Sequence, residues 1–281
     1  NTNSTLQIVI INPNNFSVVN ANFVDPLDSK LLGVSGSGTS SCGGSVVVSF
    51  FQLAVSGATV PALGSCTIQA VVTGLTSGVA PNSFTLIASN TPSVSVVPVS
   101  LTVMGALVAT KTFSPEAVPI GSSVAGSLVL SNDNSQAVTG VSFSDIVPNV
   151  VVTGLVRSPL TCPVMTVTGG NTLSFPTLVT IPNNTNCTYT FTVTPTVGTV
   201  GFVTNPTVNI TSSNAVNSTM PSSSFFIMRA AGISKSYNVG SNIAFGQRAN
   251  LTITLENFNS LTMTGVLLVD PVPAGMSFLT G

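Results

Sequence analysis

Apolar and polar residues alternate at a period of two over many short stretches, and Gly, Pro, Asn and Ser repeatedly cut the alternation. Leu6, Ile8 and Ile10 are a first example. This spacing turns one face of a strand to a core and the other outward. No run of ten or more residues carries the periodicity of an amphipathic helix. With abundant Val, Thr and Ser between regular turn residues, the pattern predicts an all-β chain of short strands. The longest apolar stretch, Val94 to Ala109, is broken by Ser100, Thr102 and Gly105. It is too short and too rich in β-formers for a membrane span, and reads as a linker entering a strand.

Self-comparison organises the strands. Leu6–Pro26, Gly126–Ile146 and Leu251–Pro271 align without a gap, at offsets of 120 and 125 residues. Ile8, Leu128 and Ile253 coincide, as do Ile10, Leu130 and Leu255. So do the pairs Asn12/Asn14, Asn132/Asn134 and Asn257/Asn259, and the acids Asp25, Asp145 and Asp270. Cys42 recurs as Cys162 and Cys66 as Cys187, at offsets of 120 and 121. The Asn pairs read as turns, because Asn bonds its own backbone and tolerates turn conformations. A strand is expected around Val266 to Asp270. The repeated Asp reads as a turn-capping carboxylate; a calcium site would want roughly six oxygen ligands. Ahead of the second block lies KTFSPEAVPIGS, Lys111–Ser122, and ahead of the third KSYNVGSNIAFGQ, Lys235–Gln247. Each reads as the first strand of its repeat, with Pro115 and Pro119 suited to an edge. No such segment precedes the first block, and the chain opens at Asn1 without Met, as a processed chain or a fragment would.

The run K-[TS]-[FY]…G…L-x-[LI]-x-N-x-N…TGV…D-x-[VL]-P followed by a Cys pair stands here as Lys111–Phe113, Asn132/Asn134, Thr139–Val141, Asp145 and Cys162/Cys187. It resembles the Ig-like tandem repeats of bacterial surface proteins known as DUF11-type domains. The first repeat departs at Val19–Ala21, where TGV is absent. The resemblance implies an all-β chain of tandem immunoglobulin-like β-sandwiches with an extracellular stalk, adhesin or fibre role, and it brings no catalytic residues. The expected units are residues 1–104, a sandwich lacking its first strand; 105–229, a complete one; and 230–281, a partial one completed by another chain or segment.

Composition narrows the function. Charged residues make up 5% of the 281, with six Lys or Arg, seven Asp or Glu, a net charge of −1 and no His or Trp. There is no electrostatic basis for gripping nucleic acid or anionic lipid. Ser–His–Asp and Cys–His chemistry is impossible without His. We therefore expect no catalytic residues, no metal site, no cofactor, no nucleic-acid partner and no membrane insertion. The four cysteines lack the close spacing of a zinc site. They read as the disulfides Cys42–Cys66 and Cys162–Cys187, which implies an oxidising compartment. Each would close a loop of about 25 residues, worth roughly 3 kcal/mol in the chain-entropy account. Sequons at Asn3, Asn15, Asn183, Asn186, Asn209, Asn217 and Asn250 are candidate glycosylation sites, and covalent glycans would solubilise a surface so poor in charge. Lys111 and Lys235 share a phase that would suit a lysine–asparagine isopeptide, with Glu116 or Asp145 as proton shuttle; the ordinary reading is a solvent-facing lysine.

A sandwich without its first strand exposes a groove and unpaired backbone groups, each costing about 1–3 kcal/mol when buried. The expected function is therefore a structural subunit of an extracellular filament, assembled head to tail with copies of itself by β-strand complementation. Interface candidates are Lys111, Phe113, Val118, Ile120, Lys235, Tyr237, Ile253 and Leu255. The alternatives are the stalk of a monomeric multi-repeat adhesin and a glycan-binding module.

Overall fold

The structure is a computed structural model that describes residues 3–240 and 242–277. Every helix or strand element among the described residues is a strand, so the fold is all-β, as the period-two pattern predicts. Among the described residues no helix is long and apolar enough to cross a membrane.

The second repeat shows the full plan. Strands Val108–Ser114, Val124–Asn132, Thr185–Pro195 and Val150–Ser158 lie side by side in one antiparallel sheet. Across the core, Gly201–Asn205 pairs antiparallel with Ser223–Met228, which also takes Ala117–Pro119 as a parallel edge. The segment read as one first strand is thus two strands that serve different sheets. Short ladders join Ser144–Ile146 to Thr172–Ser174 and Thr172–Ser174 to Thr166–Thr168 in a separate small sheet. One buried cluster runs from Leu107 to Ile227 and includes Leu128, Leu130, Tyr189, Phe191 and Phe225. The disulfide Cys162–Cys187 is inside it.

The first repeat follows the same plan with one difference. Its sheet runs Asn3–Ile11, Ser65–Gly74 and Leu31–Gly33, so Asn3–Ile11 is an edge. Its counterpart Val124–Asn132 has Val108–Ser114 on that side. The consequence is visible in packing: Leu128 and Leu130 are fully buried, whereas Ile8 and Ile10 are only half-buried and Ile11 is 73% exposed. Strands Val18–Pro26, Gln52–Val60 and Ser45–Val48 face this sheet, and Gly78–Asn82 pairs with Val99–Val103.

Two local expectations are corrected. Val94 to Ala109 is mostly strand: Val99–Val103 completes the first repeat's core and Val108 already begins the next repeat. In the third repeat Gly232–Tyr237 and Leu251–Glu256 form an antiparallel pair, but Val266–Asp270 makes no ladder. In the second repeat Ser144–Ile146 has Thr172–Ser174 as partner, and no strand stands in that role among the described residues of the third.

The TGV motif has a backbone cause. Gly140 adopts φ 65° at an irregularity in the ladder between Val138 and Val141, and a side chain there would collide with Ser213. Asn20, which replaces that Gly in the first repeat, adopts φ 52° at the equivalent irregularity. Asn is among the few side chains that enter the left-handed region readily, so the bulge survives the loss of the motif.

Candidate functional site

The Asn pairs are more than turns. Asn132 is fully buried, and its Nδ2 donates to the carbonyls of Gln136, Ile181 and Pro182. Its Oδ1 accepts from the backbone N and Nδ2 of Asn134. Asn12 repeats this with Phe16, Val60 and Pro61, and with Asn14. Asn257 repeats part of it with Leu261 and Asn259.

Held in this way, the second Asn of the pair reads a passing strand. Asn134 accepts from the backbone N of Gly105 at 2.7 Å and donates to its carbonyl at 3.1 Å. Asn259 does the same to Arg229, at 2.7 and 3.0 Å. Six residues beyond each clamped residue stands a lysine, Lys111 and Lys235. Lys111 Nζ lies 3.2 Å from both carboxylate oxygens of Asp145 and 2.9 Å from the carbonyl of Pro206. Both side chains of this ion pair are wholly shielded from solvent. Burial pushes the Lys111 ammonium down from its usual range, against the pull of Asp145. Asn205 Nδ2 donates to the same carboxylate at 3.1 Å, and its Oδ1 is buried without a partner. Lys235 pairs with Asp270 at 2.7 Å in a more open setting, and that hydrogen bond holds its ammonium up.

The first repeat has the same socket without the lysine. Asp25 is fully buried; Asn82 Nδ2 donates to its Oδ1 at 2.7 Å, and Oδ2 has no partner among the described residues. Burial raises its carboxyl to about 6. Asn82 also lines an apolar cavity of about 100 Å³ with Leu6, Leu27, Leu31, Ala80 and Leu101. Among the described residues the side chain of Asn14, the counterpart of Asn134, bonds only Asn12. Asn3–Ile11 is the edge strand of its sheet, and its Ser4, Thr5 and Leu6 line the same cavity.

These positions correct several expectations. Lys111, Phe113 and Val118 are interior residues of the second repeat and present no surface; Phe113 packs against Phe225 and Phe191. Lys111 is not solvent-facing, whereas Lys235 is, and Asp145 and Asp270 are ion-pair partners where a turn cap was expected. Glu116 is exposed and far from the shuttle role considered for it. Ile120 is exposed, as are Lys235 and Leu255, while Tyr237 and Ile253 are half-buried. The cysteines pair as Cys42–Cys66 and Cys162–Cys187. All seven sequon asparagines are exposed. The roles of Asn82, Asn205 and Asn14 were missed; the signal was present in the shared repeat phase of Asn82 and Asn205.

The domain of unknown function DUF7933 matches residues 108–227. No curated protein sequence matches the chain. Among solved structures, the chain is similar to the C-terminal domain of the Streptococcus agalactiae AgI/II polypeptide BspA (13% identity over 80% of this chain and 93% of that one, TM-score 0.45). It is similar to the C-terminal domain of the Streptococcus pyogenes antigen I/II-family protein AspA (11%, 78% and 92%, TM-score 0.44). It is also similar to BcpA, the major pilin subunit of Bacillus cereus (12%, 90% and 83%, TM-score 0.36).

Proposed function

We propose that the chain is a structural subunit of an extracellular, pilus-like filament, and that its first repeat is completed by a lysine-bearing strand of a neighbouring copy. The observation that carries this is the edge position of Asn3–Ile11 in its sheet, together with the buried Asp25, whose Oδ2 has no partner among the described residues. In the second repeat Gly105–Ser114 fills the equivalent position, contacting Asn134 and Asp145 six residues apart. The strand Gly232–Tyr237 with Arg229 has the same spacing, and its Lys235 is partly exposed. Transferred to a neighbour, it would lay its backbone along Asn3–Ile11 and seat Lys235 beside Asp25. That contact uses different surfaces on the two copies, so it propagates head to tail and does not close by symmetry. The division into units 1–104, 105–229 and 230–281, and the kinship to DUF11-type repeats, belong to this reading. So do the oxidising, cell-surface location implied by two disulfides and the glycans carried on exposed sequons. The role is mechanical, with no substrate turned over.

The test is assembly of the purified chain. Negative-stain microscopy should show fibres, and Lys235→Ala or Asp25→Ala should shorten them. A synthetic peptide spanning Arg229–Tyr237 should cap growth. Particles that stay monomeric at every concentration and ignore the peptide would sink the proposal.

The second reading is the stalk of a multi-repeat adhesin. It is favoured by the route the chain takes between the first two repeats, where Gly105–Ser114 fills its socket within the same polypeptide. An upstream segment filling the first socket in the same way would give isolated rods that do not take up the peptide.

A further inference from the structure

In the second repeat an amine, a carboxamide and a carboxyl group are sealed together. Lys111 Nζ and Asn205 Nδ2 both donate to Asp145, at 3.2 and 3.1 Å. Lys111 Nζ also reaches the carbonyl of Pro206, the residue next to Asn205, at 2.9 Å. Asp145 and Asn205 are fully buried, and Lys111 is 4% exposed. Asn205 Oδ1 has no partner among the described residues, although an unbonded buried carbonyl is costly. An ion pair alone would be a poor reason for this arrangement, since an apolar trio of similar size often does as well. The three groups are, however, the complete set of reactants for forming an amide.

We propose that Lys111 and Asn205 join in an intramolecular isopeptide bond, with Asp145 as the catalytic proton shuttle. The Lys111 ammonium passes a proton to Asp145, leaving a neutral amine and a carboxylic acid. Burial disfavours the charged form of the lysine and draws it in this direction. The amine nitrogen attacks Asn205 Cγ, and a bond forms between them. Asp145 supplies its proton toward the carboxamide and takes one from the attacking nitrogen. The bond from Cγ to Nδ2 breaks and ammonia leaves. One ammonium and one carboxamide give one substituted amide and one ammonia, with the remaining proton left on Asp145 or carried off as ammonium, which returns Asp145 to the carboxylate; no oxidant or external reagent is consumed. Fixed neighbours in a dry site replace an encounter in solution, which is the main source of rate in such intramolecular reactions. The product ties Val108–Ser114 in one sheet to Gly201–Asn205 on the other side of the core. It is a staple between sheets, beside the disulfide that ties Cys162 to Cys187.

Mass spectrometry of the full chain decides it, using protein from a host without N-glycosylation, with the disulfides reduced. The expected mass is lower than the sequence mass by one ammonia. Trypsin should fail to cut after Lys111, and a branched peptide should join Lys111 to Asn205. Lys111→Met, Asn205→Ala and Asp145→Asn should each restore the mass expected for the variant sequence. Should these variants fold poorly, the natural sequence decides alone: folded protein at full sequence mass, cut normally after Lys111, overturns the proposal. Loss of a water with Lys111 joined to Asp145 overturns the assignment of Asn205 as the acyl group. The filament reading stands or falls separately, because this bond forms within one copy.

Discussion

Single amide side chains do much of the ordering in this protein. With six cationic and seven anionic side chains in 281 residues, few specific contacts are available from charge. Asn132 takes over: one buried carboxamide satisfies three backbone carbonyls and aims Asn134 at Gly105. Asn132→Ala leaves those carbonyls and Asn134 short of partners in a closed core. The expected loss, read by urea unfolding, is about 3 kcal/mol or more, given roughly 1–3 kcal/mol for each buried group left unpaired. Asn14→Ala, whose side chain bonds only Asn12 among the described residues, should cost much less. The asparagine pairs and their phase were legible in the sequence, because each lies within one turn of chain. Their carbonyl partners, Ile181 and Pro182, were not, because they are brought in from a distant strand.

At the scale of strands, edges decide behaviour. An unpaired edge with a half-buried apolar face is a template for another strand. Asn3–Ile11 has both properties, whereas Val124–Asn132 is covered on each side. The disulfides act at this scale too. Cys66 lies in Ser65–Gly74, the strand that supports the open edge, and it ties that strand to Cys42. Cys42→Ser with Cys66→Ser should lower stability by about 2–4 kcal/mol and lower the midpoint of thermal unfolding. The matching double change at Cys162 and Cys187 should cost the second repeat less if the isopeptide is in place, since both staples restrain the same unit. Calorimetry of the two double variants separates these cases.

At the scale of the whole molecule, the proposed contact between copies would couple assembly to pH through Asp25. In the first repeat burial lifts Asp25 from 3.8 to about 6. The folded unit therefore holds a proton that the unfolded chain has released, and its own stability falls as pH rises from about 4 to 6. A seated lysine favours the carboxylate and pulls that value down, so association releases a proton. Filament formation should strengthen as pH rises toward about 6, by up to about tenfold per pH unit, and level off above it. Light scattering of assembly from pH 5 to 8 reads this, and Asp25→Asn should flatten the curve. An unchanged slope in that variant would separate assembly from this carboxylate.

What the sequence determined by itself was everything carried by local periodicity and by repetition. The all-β class follows from alternation over a few residues, and the common phase of Lys, Asp, Asn and Cys follows from comparing one copy with the next. The tolerance of Asn20 at a left-handed position is likewise a property of one residue and its backbone. Only the tertiary structure decided that Lys111 turns inward, that Asp145 and Asn205 meet it, and that Asp25 waits beside Asn82 with one oxygen unpaired. Those groups come from strands in different sheets, and no spacing along the chain encodes their meeting. It is the packing of one sheet on another that excludes water around them, and that exclusion turns ordinary side chains into a reactive set.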